Sequence, residues 1–185
     1  MFYLSIRNAN IFIKNAEAAE GIGEAKYLRA LAYFDLVRSW GGVPIRTELN
    51  MGEPDAEKST PSEVYALIVA DLLDAEANLP PDPSDIGRPS KYAATLLLAD
   101  VYLTQGMYAE ASAKADDVIK SNKFSLVPTT SIEDFQYNLF GPDLLTSSEE
   151  IFYFKQTRQN GYGNWILFIL NSPLSGLYNF GGAYA

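Results

Sequence analysis

Histidine and cysteine are both absent from this 185-residue chain, and that narrows the chemistry open to it. There can be no imidazole base, thiolate nucleophile or disulfide, and the preferred ligands of zinc and copper are missing. Carboxylates remain. The adjacent acidic pairs Asp116-Asp117 and Glu149-Glu150 are where glycoside hydrolysis would have to be sought, because it needs two carboxylates facing each other across a cleft. Neighbouring side chains on a helix or strand point apart, so solvated faces account for both pairs. Asp82, Ser84 and Asp85 alternate oxygen donors as a calcium loop does. They lack the glycine turn and distal bidentate carboxylate of an EF-hand, and they read as a surface turn. No catalytic residue, metal site or cofactor is expected.

Recognition chemistry is better represented. Tyr162, Asn164, Trp165, Tyr178, Asn179 and Phe180 combine aromatic faces, which stack on the apolar faces of pyranose rings, with amides that both donate to and accept from hydroxyls. A mostly apolar wall carrying a few placed polar groups is how small-ligand sites gain specificity. The competing role for the same aromatics is to fill the core under a long loop. Glu24, Lys26 and Arg29 read as ties between neighbouring helices rather than a ligand grip. Asp35 and Arg38 form a helical pair, and Trp40 with Gly41-Gly42 forms a packed helix end.

Most of the elements that must position these groups are helical. Phe2, Ile6, Ala9, Ile13 and Ala16 recur at steps of four and three, which predicts a first helix over about 2–19. Gly21 and Gly23 are expected to break it, and a second helix runs from Glu24 to the Trp40-Gly41-Gly42-Val43-Pro44 stop. Thr60-Pro61-Ser62-Glu63 is a capping box opening a third helix with Val64, Leu67, Ile68, Leu72, Ala75 and Leu79 on its buried side. Ser90 caps a fourth, burying Ala94, Leu97, Leu98, Val101 and Tyr102. After Gly106 a fifth carries Tyr108, Ala111, Ala115, Val118 and Ile119 to a left-handed end at Asn122. Glu150 to Lys155 reads as a short strand. From Thr157 onward the chain is rich in Gly, Asn and aromatics, as an ordered loop would be.

Composition agrees with one folded domain. Hydrophobic residues make up 48% and aromatics 13%, enough for a core without staples. The formal charge of −9, with scattered basic residues, argues against nucleic acid and anionic lipid, while a neutral polyhydroxyl ligand is indifferent to it. The longest apolar run, Trp165 to Leu170, is far short of the roughly 20 residues of a membrane helix. No signal peptide is visible at the start.

Leu98-Ala99, Tyr102, Gly106, Tyr108, Ala111 and Ala115 fall at the offsets of a tetratricopeptide repeat, departing at Thr95 and Lys123. The expected fold is therefore mainly all-α: tetratricopeptide-like antiparallel helical pairs with irregular loops and one short strand. Residues 1–124 would form the scaffold, with 125–185 a loop-rich segment packed on it in the same domain.

The segment Glu24-Ala25-Lys26-Tyr27-Leu28-Arg29-Ala30-Leu31-Ala32-Tyr33-Phe34-Asp35-Leu36-Val37, running into Trp40-Gly41-Gly42-Val43-Pro44-Ile45, resembles the signature of the SusD/RagB family. Ile6 to Asn10, Tyr92 to Ile119 and Ser147 to Lys155 resemble further family segments in the same order. The resemblance implies a non-enzymatic, lipid-anchored nutrient receptor on the outer surface of the outer membrane. Such a receptor typically takes oligosaccharides, or another nutrient such as peptides in some members, and passes them to a TonB-dependent, SusC-like porter. It also implies a fragment or short relative, since the lipobox cysteine and a large C-terminal portion are missing. The alternative is a tetratricopeptide-type scaffold whose groove binds a protein segment.

Overall fold

The computed structural model describes residues 2–85, 87–134, 138 and 147–153. Five helices lie among them: α1 (Phe2–Asn15), α2 (Ala19–Trp40), α3 (Pro61–Asn78), α4 (Lys91–Thr104) and α5 (Tyr108–Lys120). Each packs on the next in chain order, so the all-α, tetratricopeptide-like stack expected from the sequence is present.

The start and stop signals act as the sequence implies. Thr60 Oγ1 accepts from the Glu63 amide at 3.3 Å, and the Glu63 carboxylate accepts from the Thr60 amide at 2.7 Å, which completes the capping box ahead of Pro61. Ser90 Oγ accepts from the Ala93 amide at 3.2 Å. Asn122 takes a left-handed φ of 54° just past α5.

One boundary differs from expectation. The break after α1 falls at 16–18, and Gly21 and Gly23 lie inside α2. Their purpose is proximity. A Cβ at Gly21 would meet the Phe12 ring at 3.0 Å, and one at Gly23 would meet Asn78 and Leu79 at 3.4 Å. The two glycines thus let α1 and the end of α3 close on α2, where a sequence reading saw helix breakers.

The core runs through α1 to α4, with Ile6, Tyr33, Phe34, Val64, Ile68, Leu72, Leu98 and Val101 essentially sealed from solvent. Full burial of such a side chain stabilises by about 1.5–3 kcal/mol. The predicted buried stripe of α5 is only half realised: Ala111 and Val118 are buried, but Tyr108 and Ile119 stay largely exposed. This helix packs chiefly on α4, so a single side is covered.

At the end of α2, Gly42 passes so close to the chain that its Cβ would lie 2.1 Å from the Ser59 carbonyl. Ser59 N–H then donates to Val43 O, and Pro44 bridges Lys58. Trp40, expected as a packed end, is 60% exposed and meets Phe2 edge-on at 6.4 Å.

The strand expected over 150–155 does not form over 150–153. Ser125 N–H donates to Ser148 O, but Val127 N–H, two residues on, goes to the Glu149 carboxylate at 2.7 Å. A side chain thus takes the place a ladder carbonyl would hold. Ile151 and Phe152 pack on the helical core instead, Phe152 edge-on to Tyr27 at 5.1 Å.

Candidate functional site

The most concentrated polar chemistry surrounds Arg29, on α2, whose side chain is only 3% exposed. Its guanidinium makes a two-pronged contact with Asp71 of α3 at 2.7 and 2.8 Å. It also donates to Asn10 of α1 at 2.7 Å and to Glu48 of the 41–60 connection at 2.5 Å. Planar bidentate pairing suits arginine over lysine here. Burial opposes the guanidinium's charge, yet Asp71 and Glu48 hold its pKa above the ordinary value. The two carboxylates respond oppositely. Burial raises the Asp71 pKa against the pull of Arg29, whereas at the less buried Glu48 burial is overcome by Arg29, the residue's own backbone amide and Lys26 together, which lower it.

This hub reaches outward into the connection. Asn10 and Tyr33 both donate to Arg46 O, and Tyr33 accepts from Arg46 N–H at 2.7 Å; burial pushes the Tyr33 hydroxyl up to about 12. Arg46 then folds back on the carbonyls of Asn50 and Glu53. The chemistry is that of a lock, since every partner of Arg29 belongs to the protein.

A second constellation is open. Between α3, α4 and α5 lies a groove of about 570 Å³, walled by Glu76, Lys91, Tyr92, Thr95, Lys114 and Asp117. Glu76 bridges the three helices: Thr95 Oγ1 donates to one carboxylate oxygen at 2.7 Å, and Lys114 Nζ to the other at 2.5 Å. The Tyr92 ring is braced edge-on by Phe124 at 5.7 Å. Sequence reasoning missed this groove. The available signal was Thr95, read only as a departure from the repeat. A small hydroxyl where an aromatic is usual leaves room for the Glu76 carboxylate.

A smaller depression of about 300 Å³, bordered by Tyr27, Leu96, Leu97, Asp100 and Phe152, is mostly apolar. Elsewhere, α1 and the end of α2 expose the large apolar side chains Phe2, Tyr3, Leu4, Ile11, Phe12 and Trp40.

Glu24 pairs with Arg88 at 2.7 Å, Lys26 with Asp74 at 2.9 Å and Arg38 with Asp35 at 2.9 Å, so these groups tie elements together as expected. Asp82 is held by Lys123 at 2.6 Å. Asp116 pairs with Lys120, while Asp117 faces the groove. Glu149 and Glu150 each cap a backbone amide, of Val127 and Ser147 respectively, rather than facing one another. Among the described residues no cluster of three or more His, Cys, Asp or Glu could hold a metal ion. Tyr162, Asn164, Trp165, Tyr178, Asn179 and Phe180, the expected ligand contacts, lie outside the described residues.

Comparison with known proteins gives a consistent result. Residues 1–103 match the SusD-like family described as "Starch-binding associating with outer membrane". A SusD-like protein of Formosa agariphila is 35% identical over 133 residues, covering 68% of this chain and 26% of its own length. A solved laminarin-binding SusD-like protein superposes with a TM-score of 0.72, with 31% identity over 88% of this chain and 38% of its own. A second solved structure, described as with xylogluco-oligosaccharide, gives 0.61 and 30% identity over 68% of this chain and 29% of its own. The chain therefore spans between about a quarter and two fifths of the proteins it resembles.

Proposed function

This chain belongs to the SusD-like family, and from that premise we propose that it is the helical part of a cell-surface receptor for oligosaccharides. The observation that carries the reading is the shared fold and sequence with a laminarin-binding protein and with a protein solved with a xylogluco-oligosaccharide. The groove chemistry is compatible with it: a polyhydroxyl ligand suits mixed donors and acceptors beside an aromatic ring, and is unaffected by a net charge of −9. The role is binding without bond-making chemistry or cofactor. The whole receptor would be lipid-anchored at the outer membrane and would hand its ligand to a TonB-dependent porter.

Calorimetric titration of the chain with malto-, laminari- and xylogluco-oligosaccharides tests this reading. Saturable heat with at least one of them, and no release of reducing sugar over hours, is the expected result. Enzymatic cleavage of any of the three would overturn the non-enzymatic role. The second reading, a protein-binding scaffold, draws on the exposed apolar side chains of α1 and Trp40; it wins if no saccharide binds while a barrel protein does.

A further inference from the structure

We propose that the groove between α3, α4 and α5 is a saccharide subsite, taking part of a neutral oligosaccharide across Tyr92 between Lys91 and Asp117. The proposal rests on the carbohydrate-binding reading above and deepens it by placing a site on the helical scaffold, apart from the aromatic C-terminal residues expected from sequence.

Size comes first. At about 570 Å³ the groove is within the roughly 300–1,000 Å³ of small-ligand sites. Part of its polar wall is fixed before any ligand arrives, because Glu76 is held from two sides by Thr95 and Lys114. Preorganised partners bind without the usual ordering cost. Tyr92, braced by Phe124, supplies aromatic surface for a pyranose, and Leu73 and Ala77 supply aliphatic floor.

Charge then selects the ligand class. Lys114 is neutralised by Glu76, and Lys120 at the rim by Asp116. What remains is one ammonium, Lys91, and one carboxylate, Asp117, which offset each other. An anionic ligand finds no cationic excess here. A sugar hydroxyl, which donates and accepts at once, can use both, and hydrogen bonds to charged groups are the stronger kind. A peptide in extended form is less well served, since a groove walled by helices offers no strand edge for its backbone.

The test is an amide-resolved NMR titration of the intact 185-residue chain with the same three oligosaccharides, repeated on the Lys91→Ala/Asp117→Ala double variant. Both substituted residues are exposed, and a thermal melt confirms that the variant folds. Shifts concentrated at 73–77, 91–95 and 114–121, with affinity reduced by about tenfold or more in the variant, are expected. Binding at unchanged affinity, with shifts elsewhere, overturns the subsite and leaves the carbohydrate reading standing. Absence of binding by all three to the folded chain overturns both.

Discussion

Two polar assemblies in this protein are built from the same ingredients and put to opposite use. Around Arg29 a cation meets Asp71, Glu48 and Asn10 behind a nearly closed surface. Around Glu76 an anion meets Thr95 and Lys114 at the wall of an open groove. Burial makes the difference. A buried charge must have every partner supplied by the protein, or it costs several kcal/mol. A charge at the wall of a groove, as Glu76 is, can leave neighbouring groups such as Lys91 and Asp117 free to meet a ligand. The first assembly therefore reads as structure and the second as a surface prepared for recognition.

Breaking the buried assembly gives the largest expected effect. Asp71→Ala strands the Arg29 guanidinium without its bidentate partner and should cost about 3–5 kcal/mol in urea unfolding. Replacing both residues, as in Arg29→Met with Asp71→Leu, should recover much of that loss, because the penalty lies in the unpaired charge. Equal damage from single and double variants would contradict this assignment. Thr95→Val removes the hydroxyl on Glu76 but leaves Lys114 in place, and should cost only about 1 kcal/mol by the same measurement.

Acid titration sharpens the contrast within the hub. Glu48 is held below the ordinary glutamate value of 4.5, so its contribution is fully present above that pH and is lost as pH falls through its lower folded value. Asp71, raised above 3.8, works in the other direction: its shift favours the folded state at low pH, and that benefit fades as pH rises through its folded value. Stability of the Glu48→Gln variant should therefore fall less steeply than that of the parent on acidification below 4.5. A parallel decline in melts from pH 3 to 6 would remove Glu48 from the hub's energetics. The smallest effect is expected at the groove rim. Lys120→Ala breaks an exposed i,i+4 pair with Asp116 and should change stability by only about 0.3–0.5 kcal/mol.

Much of the scaffold was legible in the residues, because local chemistry dictates it. The Thr60 capping box, the Ser90 cap and the left-handed Asn122 act through groups within a few residues of one another. What sequence reading missed depends on distant partners. Gly21 and Gly23 look like breakers until Phe12 and Leu79 are found pressed against them. Glu150 to Lys155 reads as a strand from its residues, yet over 150–153 none forms, and the Glu149 carboxylate takes the Val127 amide. Arg29 was recognised as a tie, but its partners come from positions 19 to 42 residues away. The groove has no motif at all, since Glu76, Tyr92 and Lys114 converge only when three helices stack. The six C-terminal residues expected to contact ligand lie outside the described residues.

Hydrogen exchange, followed by mass spectrometry with and without a saturating oligosaccharide, puts the division between lock and groove to its most direct test. Added protection in α4, α5 and the second half of α3, with α1 and α2 unchanged, is the predicted result. Protection confined to the Arg29 hub, or no change in either region while saccharide is bound, would contradict it.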